Sequence, residues 1–166
     1  MTTKSVELVV AVADYGAIGN NGYLVWTNKK DLARFKELTN GYPVIMGRKT
    51  WESLPRKPLP NRLNIVVSSK FQYDTNISKN PHFVVNSLQR ALELVAAEKV
   101  FVIGGARLYE ETEKICSKIH LTRVFSKFKA DTYMPYIDYT QYDVSIGDSF
   151  VDDNNITATF YTYTKK

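Results

Sequence analysis

The chain is expected to fold as a single α/β domain around a mixed, mostly parallel sheet. Three observations carry that expectation. Short β-branched apolar runs alternate with segments whose apolar residues recur at helical spacing. Several of these runs end on glycine or serine just before a helical pattern opens. The last quarter of the chain instead alternates apolar and polar residues strictly around a turn-like "VDDNN".

The elements follow in order. "VELVVAVA", Val6 to Ala13, is an almost unbroken apolar run and suits a strand buried on both faces. "DYGAIGNNGYLVWTN" holds three glycines and reads as a long mobile loop. A helix follows, with Asn28 as its N-cap and a stop at Asn40-Gly41. "PVIMGRKTWESL" gives a strand, a glycine and a helix, and "NIVVSSKF" gives a strand tipped by two serines and a lysine. "SLQRALELVAA" is helical, and "KVFVIGGARLYEETEKI" is a strand, two glycines and a helix reaching as far as Cys116. "KIHLTRVFSKF" is one more strand, and "YDVSIGDSF" with "ITATFYTYTK" forms the hairpin.

At 166 residues, 44% of them hydrophobic and 23% charged, the chain has the make-up of one ordinary globular domain. Its 22 basic and 17 acidic residues leave a net charge of +5, a balance that favours an anionic ligand. The charges are scattered, with no basic run, which argues against a nucleic-acid partner. No charged leader, membrane-length apolar run or metal-ligand cluster is visible, so the expected address is the cytoplasm, with no membrane partner and no bound metal. The single cysteine rules out an internal disulfide.

In an open α/β sheet ligands gather beyond the carboxyl ends of the strands. Those tips carry Gly47-Arg48-Lys49-Thr50, Ser68-Ser69-Lys70 and Gly104-Gly105-Ala106-Arg107. Glycine admits close backbone approach, and a helix start presents free N–H groups to phosphate. No G-x-G-x-x-G occurs, and no acid follows the second strand to hold a bare ribose. Cationic and hydroxyl-bearing tips favour a 2′-phosphate, hence NADPH over NADH.

Asp31 stands out, because it shares the apolar stripe of Leu32, Phe35 and Leu38. It has two readings. As the third helical residue after Asn28 it could close a capping box, although Glu or Gln is usual there. Alternatively, with no cation at i+4, it awaits a ligand with a planar N–H edge that a carboxylate grips bidentately. Trp26 lies just upstream and offers one N–H.

The blocks "AIGNNGYLVWTNKKDLARFKELT", "PVIMGRKTWESLP", "PLPNRLNIVVSS", "VFVIGGARLYE" and "HLTRV…ADTYMP" together resemble the dihydrofolate reductases, over nearly the whole chain. The resemblance implies an eight-stranded mixed sheet, four helices and NADPH-dependent reduction of 7,8-dihydrofolate to tetrahydrofolate in one-carbon metabolism. It implies that Asp31 holds the pterin, that Trp26 orders a water and Thr122 bonds the acid, and that Leu24 lies on the catalytic loop. Val9, Val10, Leu32, Phe35, Leu54 and Ile103 would line the substrate site, and Arg62 would hold its carboxylate. Ala11, Ile18 and Gly19 would meet the nicotinamide, with Ile103 and Tyr109 near its ring. Gly104-Gly105, joined by a cis peptide, and Ala106, Arg107 and Leu108 would flank the cofactor. Gly47, Arg48, Lys49 and Thr50 would take the pyrophosphate, and Ser68 and Ser69 the 2′-phosphate. Antifolates of the methotrexate and trimethoprim type would be ligands, and a monomer is the default. The stretch from Asp14 to Thr27 would close over the nicotinamide.

There are departures from the family pattern. Val25 stands where proline is common, and without a fixed φ a looser loop closure is expected. Asn61 replaces a frequent glycine, but Asn tolerates a left-handed backbone. His82 and His120 have no acid nearby in sequence and read as structural. Two other classes fit less well. A pyrimidine reductase of riboflavin synthesis should lack the Trp26/Asp31 pair, and a ligand-free structural protein leaves Asp31 and the glycine tips without a purpose.

Overall fold

The computed structural model describes residues 4–166. Its central sheet has eight strands in the order β10-β11-β8-β1-β7-β4-β5-β6. The chain begins with β1 (Ser5–Val12), then β2 (Ala17–Asn20) and β3 (Tyr23–Leu24), and enters α1 (Lys29–Thr39). It continues through β4 (Val44–Gly47), α2 (Arg48–Ser53), β5 (Asn64–Val67), β6 (Phe83–Val85) and α3 (Leu88–Leu94). Next come β7 (Lys99–Val102), α4 (Ala106–Glu113), β8 (Lys118–Val124) and β9 (Thr132–Tyr133). The hairpin β10 (Tyr142–Val151) and β11 (Thr157–Lys165) closes it.

Six strands, β8 to β6, run parallel; β11 pairs antiparallel with β8, and β10 pairs antiparallel with β11, so β10 runs in the same sense as the six. Because strand side chains alternate, β1 sorts its residues onto two faces. Leu8, Val10 and Val12 enter one core with Ile45, Val102, Leu108 and Tyr109. Val9 packs on the other side with Met46, Phe101, Leu54 and Ile103. Thus Val9 and Val10, read together as substrate contacts, have side chains on opposite faces of the sheet.

Two expectations need correction. The stretch after β1 is not an irregular loop: β2 pairs with both β3 and β9 in a second, three-stranded sheet. Within it the Val25 N–H donates to the Ile18 carbonyl at 3.3 Å, a bond proline could not make. The last helix ends at Glu113, so Cys116 lies beyond α4, buried just after an exposed turn. β6 was invisible in the sequence, hidden after a polar segment and only three residues long. As expected, α1 stops where Asn40 and a left-handed Gly41 follow it, and Asn61 takes φ 60°.

A candidate ligand cleft at the strand ends

α1 starts because Asn28 caps it: the side-chain oxygen accepts from the N–H of Lys30 and of Asp31. Asp31 is therefore not needed as a cap. Its Oδ1 instead accepts a 2.6 Å hydrogen bond from the Thr122 hydroxyl of β8. Burial pushes the Asp31 carboxyl above the usual carboxylate range, while the Thr122 bond and the Arg34 charge oppose that push without cancelling it. Beside the acid the helix leaves Leu32 53% exposed and Phe35 half-buried. An apolar wall that water still reaches, next to a partly desolvated carboxylate, has the character of a ligand cleft.

Arg62 closes one end of that wall. It is buried, its guanidinium 5.9 Å from the Phe35 ring, and it donates to Thr39 Oγ1 and the Pro60 carbonyl. Both acceptors are neutral, and no carboxylate within 4.0 Å offsets the charge among the described residues. A buried cation with neutral partners is a ready site for an anion.

Trp26 has a partner that the sequence did not disclose. Its ring is buried among Ala13, Ala17, Val124 and Ala158, and its single N–H donates to Asp152 Oδ2 at 2.9 Å. Any water that Trp26 orders shares this donor with Asp152. Asp152 sits in the β10–β11 turn, its other oxygen accepting from the N–H groups of Asn154 and Ile156. The Trp26 bond, with these two, holds its carboxyl below the usual range. The carboxylate thus ties the terminal hairpin to the segment carrying Leu24, which is 60% exposed. Asp152→Ala is expected to speed hydrogen exchange of the Trp26 indole N–H, read by NMR, and Asp152→Asn to restore most of the protection.

At the neighbouring tips, Gly47 N–H donates to the Gly104 carbonyl at 2.9 Å, locking β4 to β7. Gly104-Gly105 is a cis peptide, as the resemblance implied. Gly104 has φ 138°, and a Cβ there would lie 3.0 Å from Thr50 Oγ1 and 3.5 Å from the Tyr109 hydroxyl. Only glycine fits this cradle. The Tyr109 hydroxyl donates to the Val9 carbonyl, pinning α4 to β1. Gly47 and Gly105 cap α2 and α4 without a side-chain hydrogen bond, so Arg48, Lys49 and Thr50 open α2, and Ala106, Arg107 and the buried Leu108 open α4. Arg48 is paired with Glu52 at 2.8 Å on the surface.

A cavity of about 600 Å³ lies away from Asp31, at the ends of β5 and β6. Ser68 and Ser69, the tip residues expected to take a 2′-phosphate, line it together with Asn86 and Arg90. Asn86 and Arg90 follow β6, a strand the sequence did not show. Ala11 lies in β1 and Ile18 in β2, packed into two different cores, and a side chain at Gly19 would crowd Tyr23 and Thr132.

The fold is an α/β domain that carries a partly desolvated carboxylate, a buried arginine and glycine-bearing strand tips. A model of the dihydrofolate reductase family matches residues 5–165. The chain is 36% identical to the dihydrofolate reductase of Neisseria gonorrhoeae over 163 residues, 97% of this chain and 98% of that protein. It is also 36% identical to the bifunctional dihydrofolate reductase-thymidylate synthase of Glycine max and 37% identical to that of Paramecium tetraurelia, over 98% and 93% of its length. It spans about a third of those bifunctional relatives, 34% and 33%. The chain belongs to the dihydrofolate reductase family. No helix among the described residues is long and apolar enough to cross a membrane.

Proposed function

We propose that the protein reduces 7,8-dihydrofolate to 5,6,7,8-tetrahydrofolate with NADPH, as a monomer in the cytoplasm. The observation that carries this reading is the Asp31 carboxylate, partly desolvated, oriented by Thr122 and flanked by Leu32 and Phe35. Its oxygens match the N3 and 2-amino edge of a pterin, with Phe35 and Leu54 along the ring and Arg62 on the tail carboxylate. The same edge chemistry suits diaminopyrimidine and diaminopteridine antifolates.

The strand tips fit the dinucleotide. Gly104, which admits no Cβ beside Thr50 and Tyr109, keeps this tip clear of a side chain. Ser68, Ser69, Asn86 and Arg90 supply donors at the far cavity, and Arg48 to Thr50 supply others at the start of α2. NADPH, when bound, supplies the hydride that the reduction requires. Asp31 fixes the plane of the substrate and polarises its ring, so that N5 can take a proton. With the Trp26 N–H engaged, the exposed Leu24 side of the cleft is the route by which water brings that proton. β2 and β3 cover this side and limit the water that enters.

NADPH oxidation, followed by its near-ultraviolet absorbance, is expected only when dihydrofolate is present. No dependence on dihydrofolate would overturn the proposal. Replacing both Arg48 and Ser69 by Ala is expected to weaken NADPH tenfold or more, on the order of 1.4 kcal/mol, and NADH little. Titration calorimetry with both cofactors reads the difference.

A further inference from the structure

α1 places Arg34 three residues after Asp31, so the two side chains are neighbours on one helix face. Arg34 is half-buried. Its guanidinium lies 4.3 Å from the centre of the Phe160 ring. One nitrogen is 3.5 Å from Thr122 Oγ1 and the other 3.5 Å from the Tyr161 carbonyl. Phe160 stands opposite Thr122 in the β8–β11 ladder, which puts ring and hydroxyl on the same face of the sheet.

We infer that Arg34 is a positioning residue for this reaction: fixed over Phe160, it sets the charge that Asp31 presents to its ligand. The inference rests on the folate reading and deepens it. Thr122 has one proton, and gives it to Asp31. Its lone pairs are then left to Arg34, and the three groups form a relay from cation through hydroxyl to anion. Arg34 makes no ion pair with Asp31 within 4.0 Å. That spacing has a consequence. A direct bidentate pair would consume the carboxylate edge that a heterocycle needs. One hydroxyl's remove keeps the edge free and still lets the positive charge favour the anion.

The other charged groups around this face are engaged elsewhere. On α1, Lys30 reaches Asp148 of β10 and the Phe150 ring. On β8, His120 pairs with Glu7 of β1, and Arg123 pairs with Asp14. In the hairpin turn Asp152 holds Trp26. From β11 the contacts are a ring and a carbonyl. Arg34 is the charge that opposes the effect of burial at Asp31, and Asp31 in turn offsets the burial of Arg34.

The test uses three variants of the whole chain: Arg34→Met keeps the stem without the charge, Arg34→Gln keeps a donor without the charge, and Arg34→Lys keeps the charge. Asp31 is titrated in the ligand-free protein through its ¹³C-labelled carboxyl, and hydride transfer is followed against pH by stopped flow. Losing the cation is expected to move the Asp31 titration to higher pH in Arg34→Met and Arg34→Gln. The pH profile of hydride transfer should move in the same direction, and Arg34→Lys should stay close to the parent. If Arg34→Met does not fold, Arg34→Gln decides. An unmoved titration in the uncharged variants, or the same displacement in Arg34→Lys, overturns the inference. So does a moved titration with an unmoved rate profile. A parent protein without dihydrofolate-dependent turnover would sink the substrate reading alone, because the titration needs no substrate.

Discussion

Asp31→Asn is expected to slow hydride transfer at neutral pH by roughly thirty- to a thousandfold, about 2 to 4 kcal/mol of activation free energy, and to leave NADPH affinity within twofold. The amide keeps the size of the carboxylate and can still accept from Thr122, whose hydroxyl bonds Oδ1 at 2.6 Å. It loses the negative charge and the second acceptor that a two-point grip on N3 and the 2-amino group requires. Substrate affinity should fall as well, since the grip acts in both ground and transition states. The tip residues Gly104 and Ser69 lie just beyond β7 and β5 and share no hydrogen bond with Asp31. Single-turnover kinetics with saturating NADPH separates the two effects. Parent-like hydride transfer in Asp31→Asn would remove Asp31 from the chemistry.

The pH dependence has a definite sign. Burial raises Asp31, so in the free protein it takes up a proton at a higher pH than an exposed aspartate would. A substrate edge made of N–H donors favours the anion and works against burial. The bound carboxylate should therefore titrate below the free one, and tight-binding diaminopyrimidines should widen the gap. Hydride transfer needs a proton at N5 and is expected to fall as pH rises.

What the sequence disclosed about the site was local. A lone acid at helical spacing among Leu32, Phe35 and Leu38 marks Asp31 without any structure, and a carboxylate amid apolar side chains needs a partner. What it withheld was distant. Thr122 lies 91 residues from Asp31, and only the family resemblance pointed to it. Asp152 lies 126 residues from Trp26, in a turn whose composition says only that it is a turn. Arg34 was in plain view at i+3, but the reading considered only i+4. Its role needed Phe160 and Tyr161 from the far end of the chain.

The fold divides in the same way. The buried parallel strands announce themselves, because both faces are apolar. The three-stranded sheet does not. Tyr23, Leu24 and Tyr133 are exposed, and the pairing of β2 with β9 joins segments that share no pattern. The glycines that suggested mobility are instead turn residues: Gly16 and Gly22 have φ 79° and 85°. Asp131 in the β9 segment accepts from Asn21 N–H, and its own N–H donates to Gly19.

His120→Leu is expected to destabilise the protein by about 2 to 3 kcal/mol, and Glu7→Leu/His120→Leu to recover most of that loss. His120 has no acid nearby in sequence, but Nε2 meets Glu7 Oε1 at 2.7 Å across 113 residues. The two are 6% and 3% exposed. Removing the imidazole strands a buried carboxylate with only the Ser5 hydroxyl at 2.9 Å and Lys99 at 3.9 Å. Those two remaining partners keep the cost near the low end of that for a broken buried pair. Removing both partners leaves no stranded charge.

The same pair makes stability acid-sensitive. Burial works to raise Glu7, but hydrogen bonds from His120 and Ser5 and the charges of His120 and Lys99 outweigh it, and its carboxyl ends below the usual range. A folded-state value below the unfolded one means the stabilisation is full above about pH 4.3, the unfolded carboxylate range, and is lost as pH falls through the folded value. Glu7→Gln should flatten that part of the curve, measured by urea unfolding at stepped pH. Thr122 sits two residues beyond His120 on the same strand face. If the pair serves only to hold β8 in place, Glu7→Leu/His120→Leu will retain parent-like hydride transfer below its melting range. A slowed rate in a fully folded double variant would show instead that the buried pair reaches the Asp31 carboxylate through β8.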